Sequence, residues 1–163
     1  MRTHFGAAAA LAGALAVTTG SAVAHEDAKQ PNTPAGKAAG ARHANFKQVG
    51  GAFKAAIDET KKGSPDVKVI GASAQKLVTL SGQMSTWFPK GSGPGSGAVT
   101  DAKAEVWSDP QGFAAAVKRL QGESAKLQQI AATGDAGAAK AQVMAVGGAC
   151  KNCHDKFRVP DKK

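Results

Sequence analysis

Two thiols and an imidazole stand together near the end of the chain, in Cys150-Lys151-Asn152-Cys153-His154. Two cysteines three positions apart bring both sulfurs to the two vinyl groups along one edge of a haem, and the histidine that follows turns beneath the iron. The chemistry predicted is one covalently attached haem c per chain. Cys150 and Cys153 supply the thioethers and His154 is the proximal iron ligand, while the surrounding protein controls axial ligation, dielectric and access.

The chain has no other cysteine, and a disulfide between these two would close a tiny loop of little stabilising value. Two other uses compete with haem. A zinc site wants four ligands, and beyond this cluster the chain after residue 24 offers only His25 and His43. A thioredoxin-like dithiol wants a βαβ setting, whereas the surrounding segment is alanine-rich and helical in pattern.

The start of the chain says where such a protein goes. Arg2 is followed by an almost unbroken apolar run from Phe5 to Val17, then by the small-residue pattern Ala22-Val23-Ala24. These predict a secretory signal peptide over residues 1–24, cut after Ala24. A membrane anchor is the competing reading, but the run falls short of the roughly 20 apolar residues that a spanning helix needs.

A chain of 163 residues with net charge +9 has the size of one domain. Cleavage would remove one basic residue, Arg2, and no acid, so the mature protein stays basic. Such a balance suits an anionic surface or an acidic redox partner. Lys and Arg are spread out, apart from pairs such as Lys61-Lys62 and Lys118-Arg119, which argues against nucleic-acid binding.

The absence of Tyr, the 20 glycines and the 5% aromatic content favour close-packed helices over sheet. Residues 25–40 hold two prolines and no large apolar side chain, and are predicted to be a flexible N-terminal arm. Residues 41–163 are predicted to form the haem domain, with four segments whose apolar residues recur on a helical period. The first, Ala41 to Glu59, carries Phe46, Val49, Phe53 and Ile57; the second opens at Ser64-Pro65 and carries Ile70, Ala74, Leu77 and Met84. A Gly- and Pro-rich loop from Pro89 to Asp101 follows, with a short turn at Ala102 to Trp107. Asp109-Pro110 starts the third helix, Gly134 closes it, and Asp135 to Arg158 forms the fourth, with Cys150, Cys153 and His154 on its core-facing stripe. The expectation is an all-α, antiparallel four-helix bundle with the haem between its helices.

The residues resemble the cytochromes c prime, periplasmic haem proteins of the class II cytochrome c group. The resemblance covers about residues 41–158. It rests on the ending CKNCHDKFR, on Arg42 with Phe46 four residues later, and on WFPKGSG and AKAEVWSDPQGF in the middle. A four-helix bundle is the known fold of that family, so the resemblance brings the fold with it. It implies that Phe46 packs over the distal face of the haem, that Arg42 lies near a propionate, and that Arg158 lies near the proximal side of His154. It also implies a periplasmic location and a possible homodimer.

Low-spin carriers of this group place a methionine, the sixth iron ligand, where Phe46 stands. Phenylalanine has no donor atom, so the expectation is a five-coordinate, high-spin haem whose apolar pocket admits small neutral gases such as NO and CO. Each assignment has a plainer competitor. Phe46 would be a core residue in any helical protein, and Arg42 and Arg158 could be surface charges. Met84 and Met144 are potential ligands, yet methionine at helical spacing is more often core filler. His43, one turn before Phe46, is a sixth ligand, a propionate contact or a solvent-facing residue, of which the resemblance favours the second. Three functions stand side by side: a gas-binding cytochrome, an electron carrier serving an unknown redox partner, and an enzyme such as a peroxidase. The last would need polar distal groups, for which only His43 is a candidate.

Overall fold

The computed structural model describes residues 29–160. The signal peptide and cleavage site predicted for residues 1–24 lie outside them, as do residues 25–28 of the predicted arm. Within the described residues the chain is helical, with α1 over Pro34–Glu59, α2 over Val67–Gln83, a single turn α3 over Glu105–Ser108, α4 over Pro110–Ala132 and α5 over Ala136–Phe157. A 3-10 turn, Met84–Trp87, prolongs α2.

Caps set these boundaries. Asp109 accepts from the Gly112 N–H at 2.9 Å with Pro110 in the first turn of α4, and Asp135 accepts from the Ala138 N–H at 2.8 Å at the start of α5. Both match the sequence pattern. Gly134, which separates these helices, has φ +81°, a left-handed conformation that glycine adopts without strain.

Two expected boundaries need correction. The arm predicted over residues 25–40 gives way to α1 at Pro34, because Thr33 accepts from the Gly36 N–H at 3.1 Å and Pro34 occupies the first helical turn. Lack of large apolar residues did not prevent packing here: Gly36 lies tight against Pro31, and Ala39 is buried. Gln30 is anchored too, donating to the Val99 carbonyl at 2.8 Å and accepting from the Val99 N–H at 3.1 Å. The cap of α2 is Asp66 rather than Ser64, accepting from the Lys68 N–H at 2.8 Å; its own N–H donates to Glu59 at the end of α1.

The four long helices form a bundle. α1 packs along α2, α2 along α4 and α4 along α5. Ile70, Leu77, Leu127, Val143 and Val146 are fully buried between them, and the buried alanines Ala56, Ala74 and Ala139 let the backbones approach closely. Between α1 and α5 contact is sparse, and the two helices stand apart on either side of a cavity. No helix among the described residues is long and apolar enough to cross a membrane.

The loop after α2 closes one end of this gap. Ala102 pairs in antiparallel fashion with Arg158, the Lys103 N–H donates to the Phe157 carbonyl at 2.9 Å, and the Val159 N–H donates to the Asp101 carbonyl at 2.7 Å. These bonds tie the loop to the end of α5.

Candidate haem site

The cavity between α1 and α5 has a volume of about 770 Å³, within the range of cofactor sites. α1 contributes Arg42, His43, Phe46 and Phe53 to its wall; α5 contributes Cys150, Cys153, His154 and Arg158. Helix α5 exposes its cluster differently from the expectation of a core-facing stripe. Val143, Val146 and Phe157 are buried, but Cys150 and Cys153 are only half-buried and His154 is exposed. The stripe leaves the packed core where α1 diverges, so its last two turns face the cavity.

Burial pushes the Cys150 thiol above its ordinary range. Cys153 is pushed up to about 11, by burial first and then by the repulsion that a Cys150 thiolate would exert at high pH. Neither thiol is therefore ionised near neutrality, and both sulfurs border the cavity as soft, apolar groups. Among the described residues no cluster of three or more His, Cys, Asp or Glu side chains is arranged to hold a bare metal ion.

Across the cavity, Phe46 belongs to a chain of aromatic rings in edge-to-face contact. Its centroid lies 5.3 Å from Trp87 and 6.1 Å from Phe88; Phe88 continues to Phe113 at 4.8 Å, and Phe113 to Phe157 at 5.3 Å. Such contacts contribute about 0.5–1.5 kcal/mol each beyond their buried area. The wall that carries Phe46 is thereby tied to the helix that carries the thiols. Phe88 and Phe113 went unassigned as site residues in the sequence, since each is one apolar position among many.

Arg42 is 4% exposed, its guanidinium 4.8 Å from the Phe88 ring centroid. Nη1 donates to the Trp87 carbonyl and the Ser92 hydroxyl, both at 3.2 Å, and Nη2 donates to the Ser92 carbonyl at 3.1 Å and the Thr100 hydroxyl at 2.9 Å. The surface-charge reading fails for it. All four partners are neutral, so among the described residues no carboxylate pairs with this buried cation, and burial lowers its pKa. Beside it, His43 Nε2 is buried and has no hydrogen-bond partner among the described residues.

Arg158 caps α5, its N–H donating to the His154 carbonyl at 3.0 Å, with Nη2 at 3.9 Å from an Asp101 carboxylate oxygen. Of the methionines, Met84 is buried in the cavity wall, whereas Met144 is 62% exposed. Neither core filler nor ligand describes Met144, because it falls between the inward positions Val143 and Val146 on α5.

A haem is a large apolar disc with two carboxylates, and these residues fit it. The wall is aromatic and aliphatic, two thiols stand one turn apart beside an imidazole, and a buried cation and an unpartnered imidazole lie opposite. A helical bundle that presents this constellation to such a cavity is the architecture of a c-type cytochrome.

Comparison with known proteins agrees. The family model for cytochrome c′ matches residues 37–158. Cytochrome c′ of Rubrivivax gelatinosus is 43% identical over 93 residues, which is 57% of this chain and 70% of that protein. Its crystal structure aligns with a TM-score of 0.68 at 36% identity, covering 76% of this chain and 96% of the other. A nitric oxide complex of a mutant cytochrome c prime from Alcaligenes xylosoxidans aligns with a TM-score of 0.68 at 29% identity, over 77% and 97% of the two chains. The chain belongs to the cytochrome c′ family, whose members carry one covalent haem c.

Proposed function

We propose that this protein is an exported, periplasmic cytochrome whose five-coordinate haem binds NO and CO and exchanges single electrons. Cys150 and Cys153 hold the haem as thioethers and His154 ligates its iron. Arg42 and His43 serve the carboxylate edge, Phe46 covers the distal face, and Arg158 supports the turn that carries His154.

The observation that carries the reading is the position of Phe46. It lies on the wall opposite the thiols, locked among Trp87 and Phe88, and has no atom that can coordinate iron. When bound, the haem supplies the redox-active iron and its open coordination position. The chain supplies an apolar wall there, which favours neutral diatomics because a charged ligand would have to shed its water. The nitric oxide complex of the Alcaligenes relative supports this reading, and the signal-peptide pattern supports export.

His43 favours one alternative, a six-coordinate low-spin carrier, because its buried Nε2 makes no hydrogen bond. The reduced spectrum decides. A high-spin Soret band that shifts on addition of CO or NO is the expected result. A sharp low-spin α band without CO response overturns it, and conversion of that band to high spin in His43→Ala would assign the sixth ligand. Amino-terminal sequencing of the mature protein should begin at His25.

A further inference from the structure

His43 Nε2 is buried at the cavity wall and makes no hydrogen bond, although a buried, unsatisfied polar atom is costly. Its neighbour Arg42 is held by four hydrogen bonds from the loop. His43 has no such role in the packing. The charged groups that share the cavity are Arg42 and Lys47 from α1, Asp101 from the loop, and Lys151, Asp155 and Arg158 from α5. Asp155 is paired with Lys151 at 2.6 Å, and Asp101 lies 3.9 Å from Arg158. Neither carboxylate is bonded to the imidazole, so among the described residues no ion pair fixes its charge.

We propose that His43 is a redox-linked proton site: its imidazole binds a proton when the haem iron is reduced and releases it when the iron is oxidised. The inference rests on the haem occupying this cavity. One electron from an external donor and one proton from solvent enter together, so the net charge of the site is unchanged. The physical cause is repulsion. Oxidised iron carries one more positive charge than reduced iron, and in a cavity of low dielectric that charge disfavours an imidazolium nearby. Imidazole is the side chain that ordinarily exchanges a proton between pH 5 and 8, which sets the range over which the linkage is sought. Because the protonated form favours reduced iron, the midpoint potential falls as pH rises.

The test is an optical redox titration of the holoprotein between pH 5 and 8, on the natural chain and on His43→Gln, which keeps an N–H donor but cannot titrate. Over that range the natural protein should lose at least threefold more in its reduced-to-oxidised ratio than the variant, about 28 mV at 59 mV per tenfold. Equal slopes in the two proteins overturn the proposal. Haem content and the reduced spectrum are read on the same samples. Absence of covalent haem would refute the cofactor assignment itself, and a change from low to high spin in His43→Gln would make His43 an iron ligand and overturn the proton-site proposal. Equal thermal midpoints together with different slopes exclude a merely structural effect.

Discussion

Arg42 reaches Ser92, fifty positions later in the chain, with both arms of its guanidinium: Nη1 to the hydroxyl at 3.2 Å and Nη2 to the carbonyl at 3.1 Å. This bidentate grip, completed by Trp87 and Thr100, fixes the glycine-rich loop against α1 and so holds one wall of the haem cavity. A flexible loop of this composition has much conformational freedom to lose, and the charge-assisted bonds offset part of that cost.

Replacing Arg42 with Ala should destabilise the protein by about 3 kcal/mol, since it strands the buried carbonyls of Trp87 and Ser92. Arg42→Lys should recover less than half of this, because one ammonium cannot span the fork. Denaturant unfolding of the holoproteins checks both.

Phe46→Met should place a thioether where the family's low-spin carriers have their sixth ligand. The expected spectrum is low-spin, with CO binding weakened by tenfold or more, about 1.4 kcal/mol of competing ligation. A spectrum that stays high-spin with unchanged CO affinity would remove Phe46 from the distal position.

Gly93→Ala tests the far side of the loop. A Cβ there would meet the Trp107 ring at 2.7 Å, and that ring is held by its N–H, which donates to the Phe88 and Pro89 carbonyls at 3.2 Å each. The ring is rigid, so loop or indole must move, at a cost of about 1–3 kcal/mol. Tryptophan fluorescence and the thermal midpoint should both change.

Asp109 links the start of α4 to the end of α5. The Lys156 ammonium, 2.6 Å away, and then the Gly112 N–H hold its carboxyl below the ordinary carboxylate range. A depressed carboxyl contributes stability above its unfolded value and loses it as pH falls through the folded value. Asp109→Asn keeps a cap acceptor and loses the ion pair. The natural protein should therefore melt higher near pH 7, with the difference closing as the solution is acidified through pH 4 and below.

The cluster of Cys150, Cys153 and His154 was legible in the sequence as a candidate site because its information is local: residue types and a three-position spacing suffice to single it out. The caps at Asp109 and Asp135 were legible for the same reason. The start of α1 was not, because a Thr-Pro cap among small polar residues looks like a flexible arm until Ala39 and Gly36 find neighbours.

What the sequence by itself determined, then, was the helical class, the amphipathic stripes and the cluster of two thiols and an imidazole that singles out the candidate site, all set by periodicity and short-range chemistry. What only the tertiary structure decided was the cavity itself and who faces it. Burial of Arg42 on neutral partners, the ring contacts from Phe46 through Phe88 to Phe157, and the unpartnered nitrogen of His43 each depend on segments dozens of positions apart. Their approach is set by how α1 and α5 diverge around the core, and no local pattern encodes that angle.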